Sequence, residues 1–114
     1  MAEKESRRAK RYEVEVAAEI TTPEGIIQSK TKNLSESGVC FSTKKMLAEG
    51  NKFQASLFLT IDGIEDISTP SLDVTVEVIW SAPASENEFL AGCQFSELDE
   101  KKMELLRSFL RQLE

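Results

Sequence analysis

Two short stretches of this 114-residue chain carry side chains suited to holding a ligand rather than to packing a core. The first contains Arg7, Arg8, Lys10 and Arg11, so that Arg7 and Arg11 stand four residues apart with two more cations between them. On an extended or irregular segment, several of these groups can face one ligand. A guanidinium grips a phosphate through paired N–H bonds, bonds the O6 and N7 edge of guanine, and stacks its flat face on a base. The second stretch is Asn33-Leu34-Ser35-Glu36-Ser37-Gly38. It offers an amide, a hydroxyl and a glycine at which a ligand can approach the backbone closely. Each stretch alone also reads as something plainer, a solvated basic tail or an ordinary polar turn. Together they suit a small guanine nucleotide bearing phosphate.

The rest of the composition narrows the chemistry. There is no histidine, which removes the commonest general base and metal ligand and any Ser-His or Cys-His nucleophile pair. The carboxylates fall on an outward strand face (Glu13, Glu15, Glu19), in turns (Asp62, Glu65, Asp66) or around a helix, and neither a Walker sequence nor a GxGxxG fingerprint is present. We therefore expect no catalytic residues, no metal and no resident cofactor. Cys40 and Cys93 sit in apolar runs without CxxC spacing and read as buried, reduced core thiols. Residues 1–11 carry five basic and two acidic side chains, a local +3 on a chain whose net charge is -6. A cationic arm on an acidic body can hold a small anion at one spot, whereas the body repels the backbone of an RNA or DNA polymer. No apolar run approaches the roughly 20 residues of a membrane span, and no signal-peptide core follows the basic start. The expectation is a single cytoplasmic domain without membrane insertion.

The elements that must position these residues are mostly strands. Tyr12, Val14, Val16, Ala18 and Ile20 alternate with polar partners, predicting a first strand that begins directly after Arg11. Thr22-Pro23-Glu24-Gly25 is a turn, and residues 26–32 return antiparallel to the first strand. Residues 33–38 form a polar corner before residues 39–43 resume as strand. Alternation at Phe53, Ala55, Leu57, Leu59 and Ile61, at Leu72, Val74, Val76, Val78 and Trp80, and at Phe89, Ala91, Cys93 and Phe95 predicts the remainder. Residues 62–71 fit either a long loop or a weak hairpin. Ser96 and Asp99 have the spacing of a capping box, and Leu98, Leu105, Leu106, Phe109, Leu110 and Leu113 then make one apolar helical stripe. The fold class is all-β with one C-terminal helix. Six or seven short strands close best as a small antiparallel barrel or sandwich, with the helix over an open end or as a lid.

The paired motifs, RxxxR at Arg7 and Arg11 followed about twenty residues later by NxSxxG at Asn33, Ser35 and Gly38, resemble the signature of the PilZ domain family. The intervening hairpin, the Val-Glu-Val-Ile-Trp strand ending at Trp80, the Ala-Gly-Cys-Gln-Phe strand and the final helix fit a PilZ β-barrel over essentially the whole chain. The resemblance implies a basic arm carrying RxxxR over residues 1–11, a barrel over 12–95 with its turn at 33–38, and a helix over 96–114. It implies binding of cyclic di-GMP, with Arg7 and Arg11 on guanine edges and phosphates and Arg8 as a further contact. Asn33 and Ser35 would bond a guanine and Gly38 would keep the turn open for it. Asn33 replaces the aspartate also found in this family and lacks its charge toward the guanine N1 and N2 donors. Trp80 is a secondary candidate for an aromatic face. Ser6, just before the first motif arginine, leaves open whether one ligand or a stacked pair binds. The resemblance further implies a ligand-induced switch in a free-standing receptor that signals in trans to an unidentified protein target, in motility, envelope or exopolysaccharide machinery. The nearest alternative is a PilZ-like protein-interaction module that does not bind nucleotide.

Overall fold

The computed structural model describes residues 10–60 and 70–114. They form six strands, β1 (Ala17–Thr22), β2 (Gly25–Leu34), β3 (Gly38–Thr43), β4 (Lys52–Phe58), β5 (Ser71–Ser85) and β6 (Glu88–Phe95), followed by the helix α1 (Glu100–Gln112). All the pairings are antiparallel, and the strands close a barrel in the order β1-β2-β3-β6-β5-β4. Closure removes the free edges that a sheet of short amphipathic strands would otherwise expose. Of the two arrangements open from the alternation, barrel and sandwich, the chain adopts the barrel.

The period-two pattern works as expected through most of the core. Ala18 and Ile20, Val39 and Phe41, Ala55 and Leu57, the even positions from Leu72 to Val78, and Ala91, Cys93 and Phe95 all turn inward. Leu106, Phe109 and Leu110 of α1 join the same cluster, with Leu98, Leu105 and Leu113 packed against it. The helix starts later than the Ser96 spacing suggests. Its N-cap is Asp99, whose carboxylate accepts the Lys102 N–H at 2.8 Å, while the Ser96 N–H is still held by the β5 carbonyl of Thr75 at 2.8 Å.

The first strand also departs from expectation. Tyr12 forms only an isolated bridge with Leu34, and the regular β1 ladder begins at Ala17 opposite Lys30. Five residue steps on one side match four on the other, so the two segments cannot stay in register. Thr31 fills the gap: its hydroxyl donates to the Val14 carbonyl at 2.6 Å and accepts from the Val16 N–H at 3.0 Å. A buried side chain thus takes over ladder bonds that the backbone cannot make. The segment 62–71 lies almost wholly outside the described residues; Ser71 already opens β5.

Candidate functional site

Two β-bulges shape one patch on the outer wall of the barrel. In β2 the register with β3 slips between Thr31 and Asn33, and in β5 the register with β6 slips between Val78 and Trp80. Lys32 and Ile79 are the extra residues. A single extra residue reverses the phase of a strand, so a position that would have pointed inward points out. Asn33 therefore leaves the inward series of Ser29 and Thr31, and Leu34 takes the buried place. Trp80 likewise leaves the inward series that ends at Val78, and stands 43% exposed beside Ile79 at 50%. The sequence pattern assigned Trp80 to the same apolar face as Leu72 to Val78; the bulge overturns that assignment.

The pairings join these two residues in one row. Asn33 of β2 faces Cys40 of β3, Cys40 faces Gly92 of β6, and Gly92 faces Trp80 of β5. Cys40 and Cys93 are both buried, as expected, and Cys40 lies outside the main hydrophobic cluster that contains Cys93. Burial pushes the Cys40 thiol above its ordinary pKa, opposed by the nearby Arg11 and Lys32 charges, whereas burial pushes Cys93 up to about 12. Both thiols are free and neutral at ordinary pH. Gly92 has no side chain because the indole of Trp80 occupies that space; a Cβ there would overlap the pyrrole edge of the ring.

Arg11 reaches the same patch. Its Nη1 donates to the Asn33 Oδ1 at 2.9 Å, across 22 residues of sequence. That bond brings one arginine of the first motif onto the first residue of the second. It leaves the Asn33 amide hydrogens pointing away from Arg11. Arg7 and Arg8 lie outside the described residues.

The turn itself is tighter than residues 33–38. Asn33 and Leu34 still belong to β2 and Gly38 already belongs to β3, so only residues 35–37 turn. Ser35 is buried and fully occupied: its Oγ accepts the N–H groups of Ser37 and Gly38 at 3.2 Å each and meets the Ser37 hydroxyl at 3.2 Å. Its N–H donates to the Gly38 carbonyl at 2.9 Å. Gly38 lacks a side chain for a packing reason, since a Cβ there would overlap the backbone carbonyl oxygen of Cys93 in β6. Ser35 and Gly38 hold the hairpin in shape and dock it on β6. Glu36 at the tip accepts from Arg107 of α1 at 3.0 Å. Tyr12, next to Arg11, donates its hydroxyl to the Glu114 carboxylate at 2.6 Å, which raises its pKa, and Lys10 lies 5.1 Å over its ring.

Sequence reasoning missed Lys32, Cys40 and Gly92 as parts of this face. Gly92 carried a usable signal, because a glycine inside a strand marks close approach of another group. The other two carried none, since a bulge is invisible until the pairing partner is known.

A closed six-stranded barrel with one C-terminal helix, on whose outer wall Arg11 meets Asn33, is the frame against which known proteins can be compared. The chain belongs to the PilZ domain family: the family's sequence model matches residues 5–112. A comparison with curated proteins gives no match. Among solved structures, the chain is similar to the Bacillus subtilis inhibitor of motility MotI/DgrA (16% identity, TM-score 0.73, 93% of this chain and 50% of that one). It is also similar to MrkH, described as a c-di-GMP-dependent transcription regulatory factor (18%, TM-score 0.74, 94% and 50%). A third similar structure is Escherichia coli YcgR in complex with c-di-GMP (14%, TM-score 0.74, 94% and 45%). The chain spans about half the length of these proteins. At such identities the likeness is one of fold. Among the described residues, no helix is long and apolar enough to cross a membrane.

Proposed function

We propose that the outer-wall patch binds cyclic di-GMP. The observation that carries this reading is the Arg11 to Asn33 hydrogen bond, which makes one constellation of the two motifs. Arg7, Arg8 and Arg11 supply guanidinium groups for the phosphates and the guanine O6 and N7 edge. Asn33, its Oδ1 held by Arg11, offers amide hydrogens to the same acceptors of a base. Lys32 adds positive charge beside them. The row from Asn33 to Trp80 crosses three strand spacings, roughly 14 Å, which is the scale of a dinucleotide, and the exposed Trp80 face would stack on a purine. Ser35 and Gly38 serve the ligand through the hairpin they hold rather than by broad contact.

Residues 1–11 act in this reading as an arm that closes over the patch, with the barrel from residue 12 as its seat. Closure would give a partner protein a surface that differs between free and bound states, which is what signalling in trans requires. Calorimetry with cyclic di-GMP tests the reading. The wild type should bind, and Arg11→Ala should bind at least about tenfold more weakly, because a hydrogen bond to a charged group is worth about 1.5–3 kcal/mol. No heat from the folded wild type would overturn it in favour of a nucleotide-free interaction module.

A further inference from the structure

At the end of the barrel away from the turn, β2 and β3 part. Their last pair is Lys30 with Ser42, yet β2 continues back to Gly25 and β3 onward to Thr43. Residues 25–29 of β2 pair with β1 only. Between the two strands opens a groove of about 820 Å³, lined by residues 25–30 and 42–45 and also by Thr22, Glu24, Ser85, Asn87 and Glu88. This volume lies within the range of roughly 300–1,000 Å³ typical of pockets that take a defined ligand.

The direction of the backbone groups in this wall follows from the ladder. The Thr31 N–H donates toward Val16 on the β1 side at 2.9 Å. Since backbone groups alternate sides along a strand, those of Ile26 and Gln28 point the other way, into the groove. No β3 residue pairs with residues 25–29 to take up these groups. Ser29 gives a second, independent sign. It is 8% exposed, lines the groove, and its hydroxyl has no hydrogen-bond partner among the described residues. Ile26, 59% exposed, adds apolar surface on the same wall.

The charges around the groove choose the occupant. Lys30 is paired with Glu15 at 3.5 Å, Glu88 accepts from the Ser42 hydroxyl, and Glu24 meets the Thr22 hydroxyl at 3.5 Å. Lys44 and Lys45, both exposed, enter no ion pair among the described residues. We infer that this groove captures an extended acidic segment of a partner protein, which adds as a strand antiparallel to residues 25–29 of β2 and sets its carboxylates against Lys44 and Lys45. Strand addition draws its affinity from main-chain bonds and its selectivity from side chains placed on alternate sides. This goes beyond the nucleotide reading and stands apart from it, because the groove lies at the other end of β2 from Asn33.

The test uses the full chain without nucleotide, titrated with a short capped peptide alternating valine and glutamate and, separately, with its valine and lysine counterpart, followed by amide NMR. The acidic peptide should shift and protect the amides of Ile26 and Gln28 and shift those of residues 43–45, and should bind about tenfold tighter than the basic one. Gln28→Pro removes a donor that faces the groove and should abolish the acidic peptide's binding. Should that variant fail to fold, Lys44→Glu with Lys45→Glu, two exposed changes, should reverse the preference between the peptides. Equal binding of both peptides, no shifts at millimolar peptide, or an unchanged preference in the lysine variant would each overturn the inference.

Discussion

The two bulges that build the outer-wall patch achieve the same reversal of phase with opposite materials. At the β2 bulge the exposed residue is Asn33, held by a hydrogen bond from Arg11, and the neighbouring hairpin is a closed set of polar bonds centred on the buried Ser35. At the β5 bulge the exposed residue is Trp80, whose indole occupies the space where a side chain on Gly92 would lie. One end of the patch is polar and backed by main chain that cannot move. The other is aromatic, and its exposed group is itself a side chain, seated over a glycine. The contrast says what supports each exposed residue: Asn33 stands beside a hairpin locked by polar bonds, and Trp80 stands on a glycine that leaves room for its ring.

The same substitution at two glycines sharpens that contrast most. Gly38→Ala drives a methyl into the Cys93 carbonyl, a backbone group, and should cost about 1–3 kcal/mol of stability or more in urea unfolding. Gly92→Ala meets only the half-exposed indole and should cost less than that, while shifting the emission of Trp80, the only tryptophan. Equal losses at the two positions would erase the distinction. Thr31→Val should come next at the β2 end, losing about 1–3 kcal/mol as the Val14 carbonyl and the Val16 N–H are left without their buried partner. At the β5 end Trp80→Ala should spare stability but weaken cyclic di-GMP by about 1–3 kcal/mol, the usual worth of a base stacked on an aromatic ring. The smallest effect belongs to Arg107→Ala, which removes an exposed ion pair with Glu36 and should change unfolding by about 0–1 kcal/mol.

The same contrast explains what could be read in the sequence. Most strands and the helix were legible because each buries one face, and inward positions such as Ile20, Leu57 and Val74 declare it by alternation. The hairpin at residues 35–37 was legible from its residue types. The role of Gly38 was not, because the group that forbids a side chain there, the Cys93 carbonyl, comes from a strand more than fifty residues later. Trp80 was assigned inward for a related reason. Strict alternation runs from Leu72 to Val78, and nothing local in Val78-Ile79-Trp80 says that the ladder with β6 slips there. Phase within a strand is a local property, whereas a bulge belongs to a pair of strands. The break at residues 13–16 was hidden in the same way, since it depends on Thr31 of the neighbouring strand.

The central claim is that Arg11 and Asn33 act as one site for cyclic di-GMP. A calorimetric double-mutant cycle with Arg11→Ala, Asn33→Ala and the double variant measures it directly. Residues in contact that serve one ligand should show a coupling of about 0.5–3 kcal/mol, the double variant losing less than the two single losses combined. Losses that simply add, or a wild type that does not bind cyclic di-GMP, would contradict the account.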